Sequence, residues 1–155
     1  MSIVEEKGFK ILGISMVTTT DHEVSHAAFE EIWDRFFKDD IMNKVPNKVE
    51  PTVYSIYDQY KETAPGVYDF RVTIGCKSTN DTDTDDLTLA EVKAGQYQQF
   101  PVKGKMPDAI IQKWEDIWKE GPAIRRQFDT DYEAYGPKSY DKENGEMDIF
   151  LSVAG

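Results

Sequence analysis

The sequence is poor in cysteine and has no long hydrophobic run. Its one cysteine, Cys76, cannot form an intramolecular disulfide, and we expect it to be a small buried strand residue rather than a nucleophile. The stretch MSIVEEKGFK at the N-terminus contains two glutamates and lacks the continuous apolar run of a signal peptide. No segment approaches the length of a membrane-spanning helix. These absences predict a cytoplasmic protein without membrane contact.

Histidine is also scarce, since both histidines of the chain lie in the stretch HEVSH. His22, Glu23 and His26 match the zinc-peptidase pattern, in which two histidines on one helix face hold the metal and the glutamate polarises a bound water. Zinc needs a third protein ligand, and no further histidine or recognisable carboxylate motif follows. Thr20 and Asp21 also predict a helix cap directly before the motif. We therefore expect no metal and no other cofactor.

Basic residues are outnumbered by acidic ones. The chain has 18 Lys and Arg against 29 Asp and Glu, and a formal net charge of −11. The average field of such a surface repels a phosphate backbone, so direct nucleic-acid binding is disfavoured. The same field would attract a basic site on a protein partner.

The most acidic stretch is KSTNDTDTDDLT. Asp81, Asp83 and Asp85 have the alternate spacing that opens a calcium-binding loop. Such a loop would also need glycine at the position of Asp86 and a bidentate glutamate at the position of Val92. Because the pattern fails at both positions, we interpret the stretch as a solvated acidic loop.

The first half of the chain has the pattern of a strand, a helix and a hairpin. Residues 9–20 are rich in β-branched and apolar residues, which predicts a strand. Residues 23–37 predict an amphipathic helix, because their apolar residues recur at i, i+3, i+4, i+7 and i+8. Residues 53–60 and 67–76 are aromatic and β-branched runs on either side of ETAPG, which predicts a hairpin.

The second half repeats this order. LTLAEVKAGQYQQFPVKG predicts a strand, or a bulged strand pair broken at Gly95. Residues 107–119 predict a second amphipathic helix, with proline near its first turn and glycine just past its end. Residues 128–137 and 147–153 predict two further strands across the turn-forming stretch KSYDKENGE.

The repeated order predicts the fold class. A length of 155 residues suffices for one well-formed core, so we expect a single domain over residues 1–155. Both helices have an apolar face that needs a sheet to pack against. The prediction is therefore an α+β domain of two pseudo-symmetric β-α-β-β units, with a mostly antiparallel sheet and both long helices on one face.

Several motifs resemble those of a known family. AGQYQQFPVKG before a helix, KWEDIW within it, and then DYEAYGP and EMDIFLSV are similar to the GyrI-like small-molecule-binding domain. This domain is also the effector-binding domain of AraC-type and MerR-type multidrug-responsive regulators. The resemblance covers nearly the whole chain and implies a concave sheet with a ligand pocket between two pseudo-symmetric halves. Because no basic DNA-reading segment is evident, it implies a stand-alone version of the domain.

The resemblance also implies site residues. In the family a glutamate on the strand after the second helix meets the positive charge of lipophilic cations, and Glu133 is the matching residue here. Tyr97 and Tyr68 match pocket tyrosines, and Phe29 falls where the family can place another aromatic. Alternation along the strand leaves a second interpretation open, in which Glu133 faces solvent and pairs with a basic residue.

Other aromatic residues are candidates for the pocket wall from the sequence itself. These are Tyr57, Trp33, Trp114 and Tyr135. Aromatic walls suit flat and cationic ligands, because ring faces attract positive charge. The alternative is ordinary core packing, which applies above all to the two tryptophans in the helix stripes.

These observations favour a protein that binds aromatic or lipophilic cationic compounds, either to sense or to sequester them. The resemblance also implies an alternative, because stand-alone members of the family include hydrolases of cyclopropane-bearing genotoxins, and Glu133 would then assist attack by water. Another is a protein-interaction module similar to the gyrase inhibitors of the family, with an acidic surface that occupies a basic site.

Overall fold

The computed structural model describes residues 2–84 and 86–154, without the side chains of His22, Glu23 and Pro122. The helices are α1 (His22–Lys38), α2 (Ile41–Lys44) and α3 (Asp108–Glu120). The strands are β1 (Ser2–Glu6), β2 (Phe9–Thr19), β3 (Lys48–Ala64), β4 (Val67–Ser78), β5 (Thr88–Val92), β6 (Gly95–Gly104), β7 (Arg126–Tyr135) and β8 (Gly145–Val153). The two long helices confirm the predictions for residues 23–37 and 107–119.

The strands form one antiparallel sheet in the order β1-β6-β8-β7-β3-β4-β2-β5. The first half has the chain order β2-α1-β3-β4, and the second half has the matching order β6-α3-β7-β8. In the sheet, the strand order β3-β4-β2 of the first half mirrors the order β7-β8-β6 of the second. The β3–β7 pair joins the two halves at the centre of the sheet, and the edge strands β5 and β1 close the ends. This arrangement confirms the α+β class and the two β-α-β-β units.

Both long helices pack on one face of the sheet. α1 contributes Ile32 and Phe36 to a core cluster with β2, β3 and β4. α3 contributes Ile117 to a second cluster with β6 and β8. Trp114 and Tyr135 pack against both clusters, so they mark the place where the two halves meet on this face. We call it the helix face and the other side of the sheet the open face.

The predicted hairpin of the first half is formed by β3 and β4, which turn at Gly66 with a φ of 76°. Here glycine is favoured because it adopts a left-handed conformation without a steric penalty. The LTLAEVKAGQYQQFPVKG stretch forms two strands that do not pair with each other. β5 pairs with β2, while β6 lies between β1 and β8.

Two paired glycines fix the approach of β2 and β4. Gly13 lies opposite Gly75, and a Cβ atom at either position would overlap the backbone of the facing strand. The two strands can therefore come this close only with glycine at both positions.

Cys76 is buried on β4, as the sequence predicted. Among the residues that the structure describes, no helix is both long enough and apolar enough to cross a membrane.

Candidate functional site

A large cavity lies between α1 and α3 and is floored by the central strands. Its volume is about 1290 Å³, and it is open to solvent on one side. α1 lines it with Phe29 and Trp33, α3 with Trp114, and the floor includes Tyr57 and Glu133. A cavity of this size holds a drug-sized molecule. It lies where the two halves of the sheet meet, because α1 and α3 pack on different core clusters.

Glu133 lies in the floor of this cavity and is only 2% exposed. The hydroxyls of Tyr57 and Tyr135 donate hydrogen bonds to its Oε1, at 2.5 and 2.7 Å. The indole Nε1 of Trp114 donates to its Oε2, at 2.7 Å. Three donors therefore hold the carboxylate, which excludes the solvent-facing interpretation of Glu133.

Burial raises the pKa of the Glu133 carboxyl above its ordinary value, and the hydrogen bonds from Tyr57, Trp114 and Tyr135 oppose this rise. Burial likewise raises the pKa of Tyr57 and Tyr135 well above the ordinary value, with the Glu133 charge adding to it. Both phenols therefore remain hydrogen-bond donors over the physiological pH range. Their fixed donation orients the carboxylate within an otherwise aromatic wall.

The structure brings five predicted aromatic residues together around Glu133. The Tyr57 ring meets the edges of Phe29 and Trp114, each at 5.9 Å between centroids. Trp33 contacts Tyr135 edge to face at 5.2 Å. All five line the cavity and also pack in or against the core clusters. These residues therefore serve both as cavity wall and as core packing.

Two predicted pocket residues lie elsewhere, which corrects the sequence analysis. Tyr97 is 2% exposed on the open face, where it packs against Tyr132 and donates a hydrogen bond to the backbone carbonyl of Lys93. It points there because its register partner on β8 is Ser152, whereas the neighbouring Gln98 pairs with Leu151 of the helix face. The sheet therefore separates Tyr97 from Glu133.

Tyr68 also lies outside the cavity wall. Its ring stacks on Phe128 at 4.3 Å, and its backbone N–H donates to the Thr20 hydroxyl at 3.1 Å. Tyr60 and Phe70, which were not predicted as pocket residues, do line the cavity.

Sequence reasoning missed a second polar group at the cavity, formed by Arg126, Tyr60 and Asp131. The Arg126 guanidinium donates from Nη2 to Asp131 Oδ2 at 2.9 Å, and the Tyr60 hydroxyl donates to the same oxygen at 2.7 Å. Asp131 is completely buried, and its Oδ1 accepts the backbone N–H of Ser152 at 3.0 Å. Arg126 and Tyr60 line the cavity beside Trp114.

Irregular strands explain why these residues were missed. Strict alternation would place Tyr60 on the face opposite Tyr57, and Arg126 on the face opposite Glu133. However, β3 has one extra residue between Asp58 and Lys61, and β7 has three extra residues relative to β8 between Arg126 and Asp131. Gln59 and Phe128 have positive φ angles at these irregularities. The resulting bulges turn both side chains to the helix face.

The HEVSH stretch opens α1, as the predicted cap implied. The backbone N–H of Val24 donates to Asp21 Oδ1 at 3.4 Å. His26 is 68% exposed at the cavity mouth and lies 3.2 Å from Glu30, while the side chains of His22 and Glu23 lie outside the described residues. In the described part of the chain, no three His, Cys, Asp or Glu side chains are grouped as metal ligands. Asp85 of the acidic stretch also lies outside it.

Comparison with known families gives one match over almost the whole chain. The family model Cass2, described as integron-associated effector binding protein, matches residues 2–153. A candidate transcriptional regulator of Bacillus subtilis (strain 168), YobU, is 20% identical over 148 residues, which are 93% of this chain and 91% of that protein.

Solved structures that share the fold include the following two. An integron cassette protein from the mobile metagenome of Vibrio cholerae is 24% identical, with a TM-score of 0.73, and the match covers 99% of this chain and 95% of that one. The structure of SAV2435 bound to tetraphenylphosphonium is 16% identical, with a TM-score of 0.80, and the match covers 99% and 93%. At these identities the structures show a common fold.

Proposed function

The chain belongs to the Cass2 family of integron-associated effector-binding proteins, and on this premise we propose that it binds aromatic or lipophilic cations, with Glu133 as the charge-recognition residue. The observation that carries the proposal is a buried carboxylate, held by three aromatic donors, in the floor of an open aromatic cavity. In a cellular setting such binding would sense or sequester a toxic compound.

The physical basis is the attraction between two charges away from water. A lipophilic cation loses little hydration on entering an aromatic cavity, and its charge meets the Glu133 carboxylate in a medium of lower dielectric than water. The ring faces of Tyr57, Trp114 and Trp33 add cation–π contact. Because Tyr57, Tyr135 and Trp114 already hold the carboxylate, little reorganisation accompanies binding.

The comparisons support the proposal at the level of ligand class. SAV2435, which shares the fold, was solved with tetraphenylphosphonium, a lipophilic aromatic cation. The relation to YobU fits a domain of the kind that regulators use to detect an effector.

A matched pair of ligands tests the proposal. N-methylacridinium is a permanent cation, and acridine has almost the same outline and is neutral at mildly alkaline pH. We expect Glu133→Gln to weaken binding of the cation by about 1–3 kcal/mol, because it removes the charge and keeps the shape. Acridine should lose much less, since ring contact does not depend on the carboxylate charge. Tryptophan fluorescence reports binding, because Trp33 and Trp114 lie in the wall.

Glu50→Gln is the matched control, because Glu50 accepts a hydrogen bond from Tyr54 at 2.6 Å and does not line the cavity. The control should leave both affinities unchanged. Equal losses for acridine and N-methylacridinium in Glu133→Gln would contradict the proposal.

A hydrolase remains the second candidate, because a buried carboxyl with a raised pKa suits proton transfer. The three donors on Glu133 leave its oxygens less available to a water, so we favour binding without reaction. Mass spectrometry of the ligand after prolonged incubation distinguishes the two. Recovery of unchanged ligand is the result that the binding proposal predicts.

A further inference from the structure

Arg126 lies in the cavity wall as a buried cation with unused donors. Its side chain is 6% exposed, and one of its nitrogens, Nη2, donates to Asp131. Nε and Nη1 are buried and have no hydrogen-bond partner among the described residues. Buried N–H groups without acceptors are costly, and a guanidinium more so than an amide. The side chain therefore offers donors that no described residue uses.

Aromatic rings surround these donors on the side of the cavity. The guanidinium carbon lies 4.8 Å from the Trp118 ring centroid and 5.9 Å from that of Trp114, and both rings line the cavity. Trp118 is 37% exposed at the rim, and access of a ligand to the buried guanidinium would require its ring to move. On the far side, the Phe128 ring closes the site at 4.2 Å.

Asp131 compensates the charge of Arg126. This carboxylate is completely buried and accepts from Arg126, from the Tyr60 hydroxyl and from the Ser152 backbone. Because the ion pair is neutral as a whole, Arg126 does not repel a cation held at Glu133 nearby. Trp114 connects the two polar sites, since its indole N–H donates to Glu133 and its ring faces Arg126.

We propose that the cavity has a second polar subsite, in which Arg126 donates hydrogen bonds from Nε and Nη1 to a carbonyl or carboxylate oxygen of the ligand. The preferred ligand class is thus an aromatic cation that also carries an acceptor oxygen. This inference rests on the proposed function of Glu133 and deepens it. A ligand that satisfies both subsites removes the cost of the unused donors, which a plain aromatic cation does not.

A pair of dyes isolates the acceptor oxygen. Tetramethylrosamine and tetramethylrhodamine methyl ester share a cationic xanthylium system and carry the same net charge, but only the latter has an ester carbonyl on its pendant ring. We expect the protein to bind the methyl ester about tenfold more tightly than the rosamine, as the loss of a charge-assisted hydrogen bond implies. Fluorescence anisotropy of each dye measures the two dissociation constants.

The variant that tests the residue is the double substitution Arg126→Met with Asp131→Asn. The second change is needed because Arg126→Met alone leaves a buried, unpaired carboxylate. The double variant should bind both dyes with nearly equal affinity and keep the rosamine affinity within about twofold of the original. Glu133→Gln should weaken the binding of both dyes by the same factor, so the ratio of the two dissociation constants should stay unchanged.

A matched control is the pair Arg71→Met with Asp58→Asn. Arg71 donates from Nε and Nη2 to both oxygens of Asp58, at 2.9 and 2.7 Å, and neither residue lines the cavity. This variant should keep the tenfold preference for the methyl ester. Thermal unfolding shows whether each variant is folded. If the Arg126 and Asp131 variant does not fold, the unaltered protein still tests the proposal. Equal affinities of the unaltered protein for the two dyes would overturn it.

The results separate the two proposals. A tenfold preference retained in the folded Arg126 and Asp131 variant overturns the subsite alone. Tight binding of the rosamine with no preference for the ester also overturns the subsite and leaves the function of Glu133 intact. Failure of the rosamine to bind overturns both.

Discussion

The two faces of the sheet carry the same residue types, but only the helix face forms the cavity around Glu133. On the helix face, tyrosine hydroxyls donate to a carboxylate that is buried in the floor of a cavity. On the open face, Tyr132 donates to Glu6 at 3.0 Å and Tyr54 donates to Glu50 at 2.6 Å, both part-buried pairs. The chemistry of the pairs is alike, so residue type alone does not make a binding site.

Packing accounts for the difference. On the open face, the Tyr132 ring stacks on Phe150 at 4.5 Å and meets Tyr97 at 5.4 Å, so the rings fill the space among themselves. On the helix face, α1 and α3 stand over separate halves of the sheet, and the rings between them line an open cavity. The helices therefore turn an aromatic surface into a cavity.

The comparison predicts that the open face serves stability and the helix face serves binding. Tyr132→Ala removes a ring that is 3% exposed, so we expect the free energy of unfolding to fall by about 3–5 kcal/mol. Urea denaturation measures this loss. In conditions where the variant stays folded, its affinity for tetraphenylphosphonium should be that of the unaltered protein. A parallel loss of affinity would place the open face in the binding site.

Binding of a cation should depend on pH through the ionisation of Glu133. Burial raises the pKa of this carboxyl, and a bound cation favours the ionised form, so protons and the cation compete. Affinity for a permanent cation is therefore highest above the raised pKa, where the carboxyl is ionised. It falls as the pH drops through that pKa, by up to about tenfold per pH unit. Titrations with tetraphenylphosphonium across the acidic range measure the slope.

Glu133→Gln should abolish this dependence, since no group at that position then titrates. An equal slope in Glu133→Gln would assign the titration to another group, and a rise in affinity towards low pH would contradict the sign.

Removal of a single hydroxyl from each face gives the smallest effect. Tyr135→Phe takes one of three donors from Glu133, so the pKa of the carboxyl should rise further and the affinity for the cation should fall by about 0.5–1.5 kcal/mol at fixed pH. Tyr97→Phe removes a hydroxyl of the open face that donates to a backbone carbonyl, and it should leave the affinity unchanged. Calorimetric titration of both variants checks the difference. Equal losses would mean that the two faces are coupled.

The sequence predicts the elements well where hydrophobic periodicity is strong. The aromatic stripe from Phe29 to Phe37 predicts α1, and the β-branched runs around ETAPG predict the β3–β4 hairpin. The missed strand β1 is short and rich in glutamate, and it becomes a strand only by pairing with β6 at the sheet edge. Propensity is weak in such a segment, and tertiary pairing determines its structure.

The candidate site was less accessible to sequence reasoning. Glu133 and five of the predicted aromatic residues line the cavity, but the face of Tyr97 depends on the register of β6 with β8, which alternation does not reveal. Arg126 and Tyr60 were missed because bulges in β7 and β3 invert the expected alternation. Gln59 and Phe128 have positive φ angles although neither is glycine, asparagine or aspartate, so residue type at these two positions does not indicate a bulge.

A crystal structure of the protein with tetraphenylphosphonium would show whether the cation binds at Glu133 in the helix-face cavity. We expect one cation between α1 and α3, with its phenyl rings against Tyr57 and Trp114 and its phosphorus nearer to the Glu133 carboxylate than to any other acidic side chain. Density for the cation on the open face beside Tyr97, with the helix-face cavity unoccupied, would contradict it.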